Sequence, residues 1–159
     1  MREANAARRE WMGLFARAPR EELETAAREL AADGPCEMLR RPEAGLVMVR
    51  GRMGGTGNAF NLGEMTMTRC VVRAASGRVG FGYVAGRDRR HAELAARLDA
   101  AMQDGAGNDA DNGAGNGARE RVLARLRAGL ARLRAEREAE VRATRVDFFT
   151  LVRGGDANG

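Results

Sequence analysis

The chain contains no lysine: all 27 of its Lys+Arg residues are arginine. A GC-rich coding bias gives the same replacement. A planar guanidinium also grips phosphate oxygens in a way an ammonium cannot. Histidine occurs once, at His91, and cysteine twice, at Cys36 and Cys70, with no CxxC spacing. That is neither a disulfide framework nor a zinc module, and it cannot build a metal site by itself. Aromatics are scarce at 4%. The core must therefore rest on Leu, Val, Met and Ala, leaving some apolar surface for a partner. No apolar run approaches the roughly 20 residues of a membrane-spanning helix. The N-terminal MREANAARRE carries no apolar signal core, so the expected location is the cytoplasm.

What is present bounds the rest. A length of 159 residues suits one domain. The formal charge of +5 points toward nucleic acid, anionic lipid or phosphorylated ligands. The arginines are interleaved with Asp and Glu, however, and no pure basic block exists. Mixed charge without aromatic pairs argues against a nucleic-acid binder.

Apolar spacing predicts a helix over 3–18 and, after Pro19, a second to about Ala32, stopped by Asp33-Gly34-Pro35. Together they read as a helical hairpin. Strands are predicted over Cys36–Arg41, Leu46–Arg52, Gly63–Ala74 and Val79–Ala85, with turns at Pro42–Gly45 and Ala75–Gly77. In the third strand Met65, Met67 and Arg69 face one way, and Thr66, Thr68, Cys70 and Val72 the other. The two methionines read as core or a soft interface, and the polar residues Glu64, Thr66, Thr68 and Arg69 as a solvent face. A third helix runs from Asp88 to about Gln103. Residues 104–118 (DGAGNDADNGAGNGA) read as a flexible low-complexity insert. A helix over Arg119–Ala143 follows, with a short stripe of Leu123, Leu126, Leu130 and Leu133. Thr144–Arg153 alternates like a final strand, and 154–159 reads as a disordered tail. The predicted fold is α+β in a single domain over 1–153. It has an antiparallel sheet of about four to five strands, an N-terminal helical hairpin and two further helices.

Three segments carry candidate chemistry. The loop between Gly51 and Gly63 holds Gly54, Gly55 and Gly57, whose backbone amides could turn toward an anion. No GK[ST] follows and a strand comes next, so Walker and Rossmann readings fail. The loop is either a hairpin turn or a ligand or partner contact, and Arg69 lies on the strand beyond it. The box Gly86-Arg87-Asp88-Arg89-Arg90-His91 places Asp88 as a helix N-cap. Arg87, Arg89, Arg90 and His91 could grip phosphates or meet a partner. As an acid or base His91 would need Glu64 or Asp88 beside it, and a stand-alone phosphate-ligand enzyme rests on that. Cys70 reads as a small buried hydrophobe. In the last segment, Phe148 and Phe149 either complete the core or add to a partner.

Five stretches, in order, resemble the PhnG subunit family of the bacterial carbon–phosphorus lyase machinery. They are RREWM (Arg8–Met12), RMGGTG (Arg52–Gly57), TRCVVR (Thr68–Arg73), GRDRRHAE (Gly86–Glu93) and RVDFFTLVRG (Arg145–Gly154). The resemblance implies a core complex with PhnH, PhnI and PhnJ, which lets bacteria use alkylphosphonates as phosphorus, and transient ATPase-like PhnL or PhnK. It implies a reaction in which an alkylphosphonate displaces adenine from ATP, giving α-D-ribose 1-methylphosphonate 5-triphosphate. The glycosidic chemistry would lie with PhnI. ATP and methylphosphonate would be substrates of the complex, and this chain would carry no cofactor. The resemblance transfers no catalytic residue, and an assembly scaffold without catalysis is the other outcome it allows.

Overall fold

The computed structural model describes residues 2–104 and 114–144. Helix α1 spans Arg2–Phe15 and α2 Arg20–Glu29; three strands follow, β1 (Cys36–Arg52), β2 (Ala59–Ala74) and β3 (Val79–Ala85). Helices α3 (Arg89–Asp104) and α4 (Ala114–Ala143) complete the fold. It is α+β, with one antiparallel sheet in the order β1-β2-β3 and the four helices.

The sheet differs from expectation in β1. The two strands predicted around a Pro42–Gly45 turn are one strand of 17 residues. Pro42 is tolerated because β1 is an edge strand, where a missing N–H need not break a ladder bond. Register shifts between Met38 and Arg40 and between Arg40 and Glu43 absorb the irregularity as bulges. Among the described residues the sheet therefore has three strands rather than about four to five. The predicted final strand, with Phe148 and Phe149, lies outside them. The β2–β3 hairpin is as predicted, turning through Gly77 at φ 84. The insert read over 104–118 is shorter at both ends. Asp104 closes α3, and residues 114–118 are the first turns of α4. A helix start tolerates glycine because its first amides have no intrahelical acceptor.

One face of the sheet is covered. Thr68, Cys70 and Val72 of β2 and Val84 of β3 are buried there, beneath α3. This reverses the expected solvent-facing role of Thr68, whose hydroxyl donates to the Gly86 carbonyl at 2.7 Å. It also moves Met65 and Met67 to the uncovered face, with Arg69 and Tyr83. Helix α3 approaches β3 closely at two glycines. A Cβ at Gly80 would meet the backbone of Ala96 and Ala100, and one at Gly82 the backbone of Ala92 and Ala96. Helices α1 and α2 make their main contacts with α3 and α4 rather than with each other as a hairpin. Phe15, Leu23, Leu94, Leu98, Val122 and Leu126 form the centre of the core.

The free edge of β3 is closed by a buried charge. Asp99, fully buried on α3, accepts from Arg8 Nη2 at 2.7 Å and Arg8 Nε at 3.1 Å. It also accepts from Trp11 Nε1 and from the Phe81 backbone amide, both at 2.9 Å. Gln103 and Arg8 donate to the Val79 carbonyl at 2.9 and 3.3 Å. The Arg8 guanidinium lies 5.5 Å from the Phe81 ring centre. Edge groups that would template another strand are thus spent on helix side chains. Nothing in the sequence reading singles out Asp99. A signal exists: it interrupts the α3 apolar stripe of Ala95, Leu98 and Met102, and Trp11 brings a single donor that needs an acceptor.

Candidate functional site

The residues of the Arg-His box lie where β3 hands over to α3. Gly86, at φ 89, makes the turn. Asp88 caps α3 by accepting from the His91 backbone amide at 2.9 Å. That hydrogen bond holds the Asp88 carboxyl below its ordinary range, with Arg20 at 3.4 Å adding to the effect. The cap is as predicted. The imidazole is already engaged, since His91 Nε2 sits 2.7 Å from the Phe15 carbonyl at the end of α1. Its role here is to tie α1 to α3. Asp88 bonds the His91 backbone rather than the ring, and Glu64 stands on the ribbon opposite Met48. Arg90 pairs with Glu93 at 3.3 Å. Arg87 and Arg89 are exposed.

The other candidates do not converge on this box. The glycine loop lies at the far end of the β1–β2 hairpin. The Gly86 amide bonds the Thr66 carbonyl, while the loop begins beyond Ala59. Seven strand steps at about 3.3 Å separate these points by roughly 23 Å. Gly54, at φ 60, and Gly55 form a short 3-10 turn with Met53. Arg52 closes it by donating to the Gly57 carbonyl at 2.8 Å. The loop is therefore a self-capped turn in which Gly54 takes a left-handed φ and a Cβ at Gly57 would crowd the Met53 carbonyl. Arg69 is bound to Glu43 at 2.6 Å, and Arg40 reaches the same carboxylate at 2.6 Å. Hydrogen bonds from Arg40 and then Arg69 keep the Glu43 carboxyl low. Among the described residues no group of His, Cys, Asp and Glu is placed to hold a metal ion, and no helix is long and apolar enough to cross a membrane.

Cys70 is fully buried, with Sγ 3.5 Å from the Arg40 carbonyl and 4.0 Å from Met38 Sδ. Burial, with the Glu93 charge in support, pushes its thiol up to about 11. A thiol so raised is a poor nucleophile at neutral pH. Alkylation of the native chain should therefore modify the half-buried Cys36 first and Cys70 only on unfolding. Equal rates at the two would refute the burial.

The feature that stands out is a surface rather than a pocket. β3 pairs with β2 only from Met67 to Arg73. Beyond that, Leu46–Arg52 and Ala59–Thr66 continue as a two-stranded ribbon without a third strand. Leu46 is 66%, Met53 78% and Leu62 62% exposed, and Met48, Phe60 and Met65 are also open. Leu46 and Met48 share one face, Val47 and Met65 the other. A bulge between Val49 and Arg50 brings Leu62 against Gly51. Apolar side chains are open on both faces of one arm, and such patches mark interaction sites.

Comparison with known proteins supplies the context for that arm. Residues 6–154 match the family described as "Phosphonate metabolism protein PhnG". A relative from Rhizobium meliloti (strain 1021) is 46% identical over 151 residues, 95% of this chain and 92% of the relative. It is named "Alpha-D-ribose 1-methylphosphonate 5-triphosphate synthase subunit PhnG". With a family match across nearly the whole sequence and a relative this similar, the chain belongs to the PhnG family of phosphonate metabolism proteins.

Proposed function

We propose that this chain is an accessory subunit of an α-D-ribose 1-methylphosphonate 5-triphosphate synthase. The similarity to the named synthase subunit carries this reading, since it covers 95% of the chain. In the reaction a phosphonate oxygen bonds C1 of the ribose of ATP as the C1–N9 bond to adenine breaks. The triphosphate stays on C5. This is a triphosphoribosyl transfer, and the chain contributes to it within a cytoplasmic complex, without a cofactor of its own.

The geometry supports an accessory role over a stand-alone enzyme. The His91 ring is engaged with the Phe15 carbonyl, and the Gly54–Gly57 turn and the Arg87–His91 box are far apart. The partners are PhnH, PhnI and PhnJ, with PhnL or PhnK binding transiently. Phe148 and Phe149 belong to the partner-binding set, and Arg87, Arg89 and Arg90 face either a partner or the triphosphate.

The β1–β2 ribbon is the main docking element in this reading. Its bare leucines and methionines become buried only in the assembly. Met48→Asp and Leu62→Asp are expected to leave the isolated domain folded, because both side chains are exposed. Each should weaken association with the co-expressed partner subunits at least about tenfold, equivalent to about 1.4 kcal/mol. Size-exclusion chromatography and pull-down of the tagged chain measure this. Assembly unchanged in both variants would remove the ribbon from the interface.

A further inference from the structure

A second surface lies along the far half of α4. Val122, Leu123 and Leu126 fix the first half of this helix to the body. From residue 131 to 144 every position is exposed. Between this half, the end of α1 and Ala85 runs a groove of about 1010 Å³. Its floor is apolar, made by Leu14, Leu130, Leu133 and Val141. Its rim includes Arg17, Arg134, Arg137 and Arg142, with Glu138 the one acid in the lining.

The rim arginines contrast with two others on α4. Arg125 and, at the near end of the groove, Arg127 meet carboxylates. Arg125 pairs with Glu29 at 2.6 Å and Glu22 at 3.4 Å, and Arg127 with Glu10 at 2.8 Å and Glu120 at 3.0 Å. Arg17, Arg134, Arg137 and Arg142 have no carboxylate partner among the described residues; Arg17 donates only to the Gly13 carbonyl. Leu130, Leu133, Arg137 and Val141 recur at three- and four-residue steps, which places them on one helix face. The seam is therefore apolar with an arginine inside it.

We propose that this groove receives an acidic, amphipathic segment of another synthase subunit. The inference rests on the subunit reading above and adds a second interface with its chemistry. Apolar side chains of the partner segment cover Leu130, Leu133 and Val141. Its carboxylates take the guanidinium forks of Arg134, Arg137 and Arg142, which suit two-point pairing. The length fits a segment of about three helical turns, because the twelve steps from Leu130 to Val141 and Arg142 rise about 18 Å. A second copy of this chain is disfavoured, since two such rims would oppose arginine to arginine. A compact polyphosphate is disfavoured as well. The lining is side chains on an apolar floor with no cradle of backbone amides.

Hydrogen–deuterium exchange on the full chain, alone and co-expressed with the other subunits, tests the proposal. The variants are Arg134→Glu/Arg137→Glu/Arg142→Glu together and the matching triple Lys substitution. Protection of residues 131–142 on assembly is expected in the wild type. The Glu triple should assemble at least about tenfold less tightly, with the Lys triple between the two and wild-type binding weakening with salt. A complex that forms with wild-type and Glu-triple chains alike, leaving 131–142 unprotected, overturns the groove and spares the subunit reading. A wild-type chain that joins no complex overturns both. Protection of 131–142 in the isolated chain by ATP alone would assign the groove to a small anion. Loss of protection on deleting residues 145–159 from the isolated chain would assign it to the chain's own tail. Either result overturns the proposal.

Discussion

Gly82→Val is expected to destabilise the domain by about 3 kcal/mol or more, a large share of the roughly 5–15 kcal/mol that holds a domain folded. A Cβ at Gly82 would fall on the Ala92 carbonyl oxygen, with the Ala96 amide nitrogen 2.9 Å away. Both obstacles are main chain, so no rotamer change relieves the contact. The strand or the helix must move, and α3 is the element on which α1 and α2 rest. Gly80 stands in the same relation to Ala96 and Ala100, so Gly80→Val should behave alike. Gly45→Ala is the control. It has open space at its Cβ and no left-handed backbone, so a change within about 0.5 kcal/mol is expected. Thermal melting of the three variants reads the difference. A Gly82→Val chain that melts with the wild type would mean that α3 does not sit on β3 at this spacing.

The second large effect is expected at Asp99. Asp99→Ala removes the acceptor for Arg8, Trp11 and the Phe81 amide at once. Two of these donors are then stranded away from water, at about 1–3 kcal/mol each. Arg8 is partly exposed and can recover hydration, so its share is smaller. The total expected is about 3 kcal/mol, within the usual cost of breaking a buried charge pair. Asp99→Asn should fall in between, because its amide cannot accept from both sides. Adding Arg8→Met to Asp99→Ala should cost less than the two single changes summed, since they break one network. Urea midpoints at constant slope measure all four chains. A cost for Asp99→Ala no larger than that of a surface substitution would show that the carboxylate does not anchor α1 to the edge of β3.

How far this architecture could be read from sequence depended on how local its causes are. The β2–β3 hairpin was legible because the turn and the alternation of Thr68, Cys70 and Val72 are written in adjacent residues. The start of α3 was legible for the same reason, since Asp88 caps an amide three positions on. The continuity of β1 was not. Pro42 and Gly45 spell a turn locally, and only the edge position of the strand lets the chain run through them. Asp99, Gly80 and Gly82 were invisible because their partners come from distant segments. The spatial relation of the candidate segments was hidden for the same reason. Arg87 to His91 and Gly54 to Gly57 are neighbouring candidate segments in the sequence, yet the ribbon holds them apart. The ribbon itself was half legible: its strands were foreseen, but its projection beyond β3 follows from the shortness of β3. The family was legible because its motifs recur in order along the chain, and the comparisons bear that out.

The most direct test of the accessory-subunit account is an omission assay. The partner subunits are supplied with ATP and methylphosphonate, and adenine release and ribosyl phosphonate are measured with and without this chain. The expected result is phosphonate-coupled adenine release only when the chain is present, and none from the chain alone. Equal ribosyl phosphonate formation in its absence, or turnover by the isolated chain, would contradict the account.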